Sequence, residues 1–485
     1  MVNTIMGLPV SLGPLTLGDN GSNVSAAKLD KDPMIPSFPN AFAPFIRSLL
    51  DDVNRLIGPI HLVGEAPICG LLGKPLPNTL ELLVARPLTE CRKRLLRGDH
   101  PDAVMGHKHN SLLLPIKEWN HPKVLDIGSF RNRPNHLATL EEDLLHRDVT
   151  VNAMAYTWPH GPLIDPFHGR HDLLNGEIRL VNGEETLRLN PLRALIFFRF
   201  AIQLNRPMHA DDLDLAMQTP LDAVPQELVR AELDRILSLP LADEETQNHL
   251  RILFASPLVD PILPHLAALK HMGAGPSGED TWKQILDTTL AISAPADGEE
   301  ISLLDLRWAI LLGGFGLSKS TSQDLMESSL GLVNRRLDAL EFSKRRARRI
   351  LNLLRNLNST INPTDRQLKR YLQDHIPMEG VFRLIQAITT ANPHLPEEAR
   401  IHEELKFQEI RTRCRNLRQA EHRVRATDLA LSGGEILDIV RLAPGPWLGE
   451  MQHKLVDLVS QEPHRNNKNE LRNYVRNWIA QQREL

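Results

Sequence analysis

LLHRDVTVNAMAYTWPHGPLIDPFHGRHDLLNGEIRLVNGEETLRLNPLRALIFFRF, residues 144–200, is the stretch on which the fold turns. It opens as a charged turn at Arg147-Asp148 and runs into an apolar segment, Val149 to Ala155. It then crosses ground punctuated by Gly161-Pro162, Asp165-Pro166 and Gly169, and enters a helix at Asn190-Pro191-Leu192-Arg193, as Gly and Pro interrupt periodic segments and Pro suits a first helical turn. Such a stretch closes a sheet domain on a helical one. If residues 149–154 form a strand, alternation puts Asp148, Thr150 and Asn152 on one face and Val149 and Val151 on the other. That polar face offers an acceptor at Asp148, an amide that donates and accepts at Asn152, and a cation at Arg147. In isolation the default reading is a structural ion pair.

Outward from this stretch the chain changes character. Upstream, residues 42–57 carry Phe45, Ile46, Leu49, Leu50, Val53 and Leu56 at helical steps, with Pro44 at the start. Strands are expected at 60–63, 80–84, 111–116 and 124–130, in a small mixed or mostly antiparallel sheet. Downstream of Asn190 the pattern is helical nearly to the end, in short pieces broken by Pro220, Pro225, Pro240, Pro257, Pro261 and Pro264. Residues 1–38 are rich in Gly, Pro, Ser and Asn and read as a flexible tail, and residues 294–300 as a loop.

Composition narrows the class. The 485 residues are enough for two to four domains at about 100–200 residues each. With a net charge of -4, any nucleic-acid site must be local. Cys69, Cys91 and Cys414 fit no metal or disulfide spacing, which points to a reducing, cytoplasmic setting. No apolar run reaches the roughly 18–20 residues of a membrane span. Between Glu341 and Arg425 there are 18 Lys and Arg against 10 Asp and Glu. Lys344, Arg345, Arg346, Arg348 and Arg349 head that excess, and read either as a solvated helix face or as contacts to an RNA backbone. His107, His109, His160, His168 and His171 have no recognised ligand spacing.

Three segments in order, EEDLLHRDVTVNAMAY, LIDPFHGRHDLLNGEIRLV and NPLRALIFFRF, resemble the core of the class II tRNA nucleotidyltransferase/poly(A) polymerase family. VPQELVRAELDRIL resembles the helix after that family's neck, and LSGGEILDIVRLAPGPWLGEMQHKLVDLV the tail of bacterial members. The resemblance implies an α+β protein: a nucleotidyltransferase-type head sheet at 39–158, a linker and helical neck at 159–255, a helical body at 256–370 and a helical tail at 371–485. It implies addition of nucleotides, ATP and CTP among them, to an RNA 3′ end, foremost that of tRNA. The 3′ hydroxyl attacks the α-phosphate, pyrophosphate leaves, and carboxylates of the head hold two Mg²⁺.

Carried over residue by residue, the family's sugar- and phosphate-facing positions fall on Arg147, Asp148 and Asn152. Its base-reading Asp and Arg fall on Asn190 and Arg193, and a further pair of arginines on Ile196 and Arg199. The Gly-Gly-x-x-Arg-Asp loop aligns with Gly64-Glu65-Ala66-Pro67-Ile68-Cys69. That stretch keeps one glycine for a triphosphate, loses the Arg and Asp, and sets Glu65 where it would repel phosphate. The Asp-x-Asp motif falls on Asn78 and Leu80 or, with one insertion, on Thr79 and Glu81, so the first carboxylate is missing. Glu81 and Asp126 (in LDIGSFR) are the remnant catalytic and metal-binding candidates. The expectation is an RNA-binding member of the family with metal-dependent transfer lost or reduced, beside a catalytically intact paralogue. The alternatives are an active nucleotidyltransferase using Mg²⁺, and a helical interaction protein without RNA affinity.

Overall fold

The computed structural model describes residues 42–483 except 99, 107–110, 117–123, 132–137, 242, 273–280, 293–301, 315–322, 358–362, 366, 369–377, 391–395, 422–425 and 443–444. The N-terminal tail, His107, His109 and the loop at 294–300 therefore lie outside the described residues.

The first helix, α1 (Pro44–Ile57), starts with Pro44 in its first turn and buries Ile46, Leu50, Val53 and Ile57, one side of the helix. Next come β1 (His61–Val63), α2 (Glu65–Leu72), β2 (Thr79–Val84) and α3 (Leu88–Arg97). A short hairpin of β3 (Val104–Met105) and β4 (Leu112–Pro115) follows, then β5 (Val124–Ser129), α4 (Leu140–Leu144), β6 (Ala155–Thr157) and β7 (Leu163–Ile164). They form one seven-stranded sheet in the order β3-β4-β5-β2-β1-β6-β7. Only β2 and β5 are parallel; every other neighbouring pair is antiparallel.

Period-two alternation sorts this sheet into two faces. Leu80, Leu82 and Val84 of β2 and Leu125 and Ile127 of β5 are buried in one cluster with α1 and with Leu88, Cys91 and Leu95 of α3. Each fully buried side chain of this kind contributes about 1.5–3 kcal/mol of transfer free energy. The other face carries Glu81 and Asp126, with Val63, Leu83, Leu144 and Ala155 forming a smaller apolar cluster beside them.

From α5 (Gly169–Asn175) onward the chain is helical: α6 (Gly183–Leu189), α7 (Arg193–Leu204), α8 (Ala210–Gln218), α9 (Gln226–Ser238) and α10 (Glu244–Ala255), then further helices to Arg483. A mixed head sheet followed by helices is the α+β class expected. One large core runs from Ile68 and Leu71 of α2, through Val149, Val151 and Met154, into the helices up to Ala387. Ala66 of the same helix α2 lies in the head core, so α2 is shared between sheet and helices. The residues from Leu429 to Val475 have a separate core.

One expectation fails. Residues 149–154 are not a strand: Thr150–Asn152 is a 3-10 turn, and the strand begins only at Ala155. The reason is local hydrogen bonding that competes with a ladder. The Val149 amide donates to the Asn152 side-chain oxygen, and the Thr150 hydroxyl donates to buried Asp172 at 2.7 Å. Gly169 packs so closely that a Cβ there would stand 2.0 Å from the Thr150 carbonyl oxygen. Asp148, Thr150 and Asn152 therefore do not share a strand face.

Candidate nucleotide- and RNA-facing site

Of the candidate residues, Gly64, Glu81, Asp126 and Arg147 gather where β1, β2 and β5 meet the start of α2 and the segment 146–148. In the parallel β2/β5 ladder Glu81 is the register partner of Asp126, which brings the two carboxylates side by side on one face. Asp126 is hydrogen-bonded by Ser111; burial, assisted by the charge of Glu81, nonetheless pushes its carboxyl above the ordinary range. Glu81 is ion-paired: Arg147 Nη1 donates to its Oε2 at 3.1 Å. Gly64, at φ 69°, lets that carboxylate lie directly on its backbone. A Cβ at Gly64 would stand 2.8–2.9 Å from the Glu81 carboxylate atoms, so both the left-handed conformation and the close approach call for glycine.

The stretch aligned with a phosphate-approach loop is instead the start of α2, with Gly64 as its N-terminal cap residue. Glu65, in its first turn, accepts a hydrogen bond from Gln203 of α7. Burial raises the Glu65 carboxyl above its usual range, against the opposing effects of Gln203 and Arg199.

The arginines expected to face a nucleotide are engaged within the protein. Arg193 Nε donates to Asp148 at 2.9 Å, its Nη1 to the Thr186 carbonyl at 3.3 Å, and its Nη2 to the His146 carbonyl. The His146 carbonyl also accepts from Arg131 at 2.9 Å. Asn190 caps the turn before α7 by accepting from the Leu192 amide at 3.2 Å. Arg199 is turned into the interior. Its Nε meets Glu232 of α9 at 2.5 Å, its Nη1 meets Gln203 at 3.0 Å, and its partner Glu232 is 1% exposed. Burial alone would raise the Glu232 carboxyl, but Arg199 and Arg235 outweigh it and hold it below the ordinary range. Glu65, Gln203, Arg199, Glu232 and Arg235 thus form one chain of charge and hydrogen bonds from head to neck.

The basic helix Lys344–Arg355 divides in two. Arg346 reaches Asp305 and Asp234, both at 2.6 Å, and Arg349 reaches Asp305 at 3.0 Å. Lys344, Arg345 and Arg348 stay exposed. Among the described residues no group of three or more His, Cys, Asp or Glu is arranged to hold a metal ion, and His160, His168 and His171 belong to none.

Gln203, Glu232, Arg235, Arg131 and the His146 carbonyl escaped the sequence reading. The one available signal was the place of Glu232 among the apolar positions Val229, Leu233 and Ile236 of α9, with Arg235 three residues on, which suggests a buried charge but not what it meets.

The head sheet, the shared helix α2 and the helical neck define a nucleotidyltransferase-type head on an α-helical frame. Residues 87–179 match the Poly A polymerase head domain family. A multifunctional CCA protein of Alkalilimnicola ehrlichii is 30% identical over 277 residues, 54% of this chain and 64% of the relative, just under two thirds of that protein's length. A CCA-adding enzyme of Leuconostoc mesenteroides is 25% identical over 407 residues, 79% of this chain and 86% of the relative. Among solved structures, a CCA-adding enzyme in its apo form superposes with a TM-score of 0.55 at 17% identity, covering 91% of this chain and 96% of that one. A Thermotoga maritima CCA-adding enzyme in complex with tRNA superposes at 0.53 and 18% identity, covering 92% and 98%. At such identities the superpositions speak for the fold. Sequence match and fold point the same way: residues 87–179 are those of a Poly A polymerase head domain, and the chain as a whole is similar to CCA-adding enzymes.

Proposed function

We propose that this protein is an RNA-binding, cytoplasmic member of the family that receives an RNA 3′ end, foremost that of tRNA, between head and neck, with metal-dependent nucleotidyl transfer lost or reduced. The observation that carries the reading is the state of the two remaining carboxylates. Glu81 is committed to Arg147, and Asp126 is hydrogen-bonded by Ser111 with its ionisation opposed by burial. Mg²⁺ needs anionic oxygens free to meet it in octahedral geometry, and a two-metal transfer site needs carboxylates enough for two ions. The donor set as it stands does not fit that group, so no step of transfer is routed through it.

Lys344, Arg345 and Arg348 supply exposed positive charge for an RNA backbone. The curated relatives whose names include CCA addition, and the Thermotoga maritima enzyme held with tRNA, support tRNA as the RNA class. A catalytically intact paralogue would then supply transfer in the same cell.

A second reading, an active nucleotidyltransferase taking ATP or CTP with Mg²⁺, is favoured by the side-by-side register of Glu81 and Asp126. One assay separates them: purified protein, labelled ATP and CTP, Mg²⁺ and a tRNA lacking its 3′ terminus. The proposal expects no incorporation above background together with salt-dependent tRNA binding. Incorporation that Glu81→Ala abolishes would establish the active enzyme instead. Absence of any tRNA affinity would leave a helical interaction protein.

A further inference from the structure

We infer that Arg147 is the head's built-in counter-cation: its guanidinium fills the role beside Glu81 and Asp126 that a divalent ion would need, so the carboxylate face is complete without metal. The inference rests on the functional reading above and deepens it, by naming the group that replaced the metal.

Three carboxylates lie close together here: Glu81 is the register partner of Asp126 across the parallel ladder, and its carboxylate lies on the backbone of Gly64, the residue before Glu65. Carboxylates side by side on two interior strands of the sheet are stabilised by positive charge nearby. Among the described residues the recorded charge partner of Glu81 is Arg147, at 3.1 Å, with the guanidinium side chain 14% exposed and the carboxylate 37% exposed. Glu65 is served separately, through Gln203 and Arg199.

The segment that delivers Arg147 is held from both sides. Its helix, α4, begins in a capping box in which Thr139 and Glu142 satisfy each other's backbone amides. The Arg147 amide closes that helix by donating to the Leu144 carbonyl at 3.0 Å. One residue earlier, the His146 carbonyl takes donors from Arg131 and Arg193; one residue later, Asp148 takes Arg193 Nε. With its neighbours anchored in this way, Arg147 has a short reach, and that reach ends at Glu81. On the other side the carboxylate lies on the backbone of Gly64, which removes the free volume an ion and its waters would occupy there. A hydrated Mg²⁺ keeps several waters, and a planar guanidinium needs none.

Divalent binding by the whole chain tests this, read by Mn²⁺ electron paramagnetic resonance and water-proton relaxation in the absence of nucleotide and RNA. Wild type is expected to bind no Mn²⁺ at the head. Arg147→Gln is expected to gain one Mn²⁺ per chain, with affinity at least about tenfold above wild type, and to lose it again in Arg147→Gln/Asp126→Asn. Arg147→Lys, which keeps the cation, should stay at the wild-type level. A wild-type Mn²⁺ site that disappears in Glu81→Gln overturns the inference, and so does an Arg147→Gln protein that is folded by circular dichroism yet gains no site. Should Arg147→Gln not fold, Arg147→Lys against Glu81→Gln decides: Mn²⁺ displaced by Glu81→Gln alone is again the refuting result, and no Mn²⁺ in either the supporting one. Nucleotide incorporation is scored separately. Wild-type incorporation defeats the functional reading, whereas Mn²⁺ binding without incorporation defeats only the role of Arg147.

Discussion

The substitution Arg199→Met is the most informative perturbation of the head–neck connection. In the native protein the guanidinium and the Glu232 carboxylate meet at 2.5 Å with side-chain exposures of 8% and 1%. Removing one partner of such a pair costs about 3–5 kcal/mol, most of it the penalty of a buried, uncompensated charge. Here Arg235 remains 2.7 Å from the other Glu232 oxygen but is itself 34% exposed. The remaining carboxylate is therefore partly compensated, and the expected loss is about 2–4 kcal/mol. The pH dependence follows from the sign of the shift. In the wild type Glu232 is held below its ordinary value, so its contribution is present above the unfolded carboxyl value of about 4.3 and fades only as pH falls through the lower folded value. Without Arg199, burial becomes the dominant influence and the folded carboxyl moves up. The folded variant then prefers the protonated form, and its deficit is largest at high pH and shrinks as pH drops. Urea unfolding followed by tryptophan fluorescence (Trp308 is fully buried in the same core) at about pH 8 and about pH 5 reads the difference. Arg199→Met/Glu232→Gln should regain part of the loss at about pH 8 by removing the stranded charge. A deficit below about 1 kcal/mol, or one identical at both pH values, would refute the assignment of Arg199 as a buried structural cation.

Five further outcomes follow from other positions. Gly169→Ala, whose new Cβ would meet the Thr150 carbonyl oxygen at 2.0 Å, should cost more than about 2 kcal/mol in thermal unfolding. Gly331→Ala, in a helix with open space around it, should be neutral or stabilise by up to about 1 kcal/mol. Asp148→Asn removes the charged acceptor of Arg193, whose side chain is 10% exposed; a loss of about 1.5–3 kcal/mol is expected by urea titration. Glutamate at Lys344, Arg345 and Arg348 together should weaken tRNA binding and lower the slope of log affinity against log salt by up to about 2–3, measured by filter binding. Arg346→Ala should instead appear in stability, because it strips a partner from Asp305, which is 2% exposed.

The architecture was legible in the chain because it is written in periodicity. The apolar steps of α1, the alternation in β2 and β5 and the Pro-broken helices after Asn190 each announce themselves within a dozen residues. Glu81 and Asp126 could be singled out by resemblance, yet their neighbourhood could not be read, since a parallel pairing of strands with a helix and a hairpin between them has no local signature. Residues 149–154 read as a strand because Val, Thr and Val favour one. The Asn152 amide and the Asp172 carboxylate, hydrogen-bonding to that segment, decided otherwise, and Asp172 lies 22 positions from the Thr150 it holds.

The sequence by itself determined which polar groups the protein owns at this site: Gly64, Glu81, Asp126, Arg147, Asp148, Asn152, Arg193 and Arg199. Only the tertiary structure decided how they are spent. A charge in a sequence carries no statement of its partner, and the strength of an ion pair depends on burial and distance, which are properties of packing. Packing committed Arg147 to Glu81, Arg193 to Asp148 and Arg199 to Glu232, and turned side chains that read as a surface for nucleotide into ion pairs within the protein.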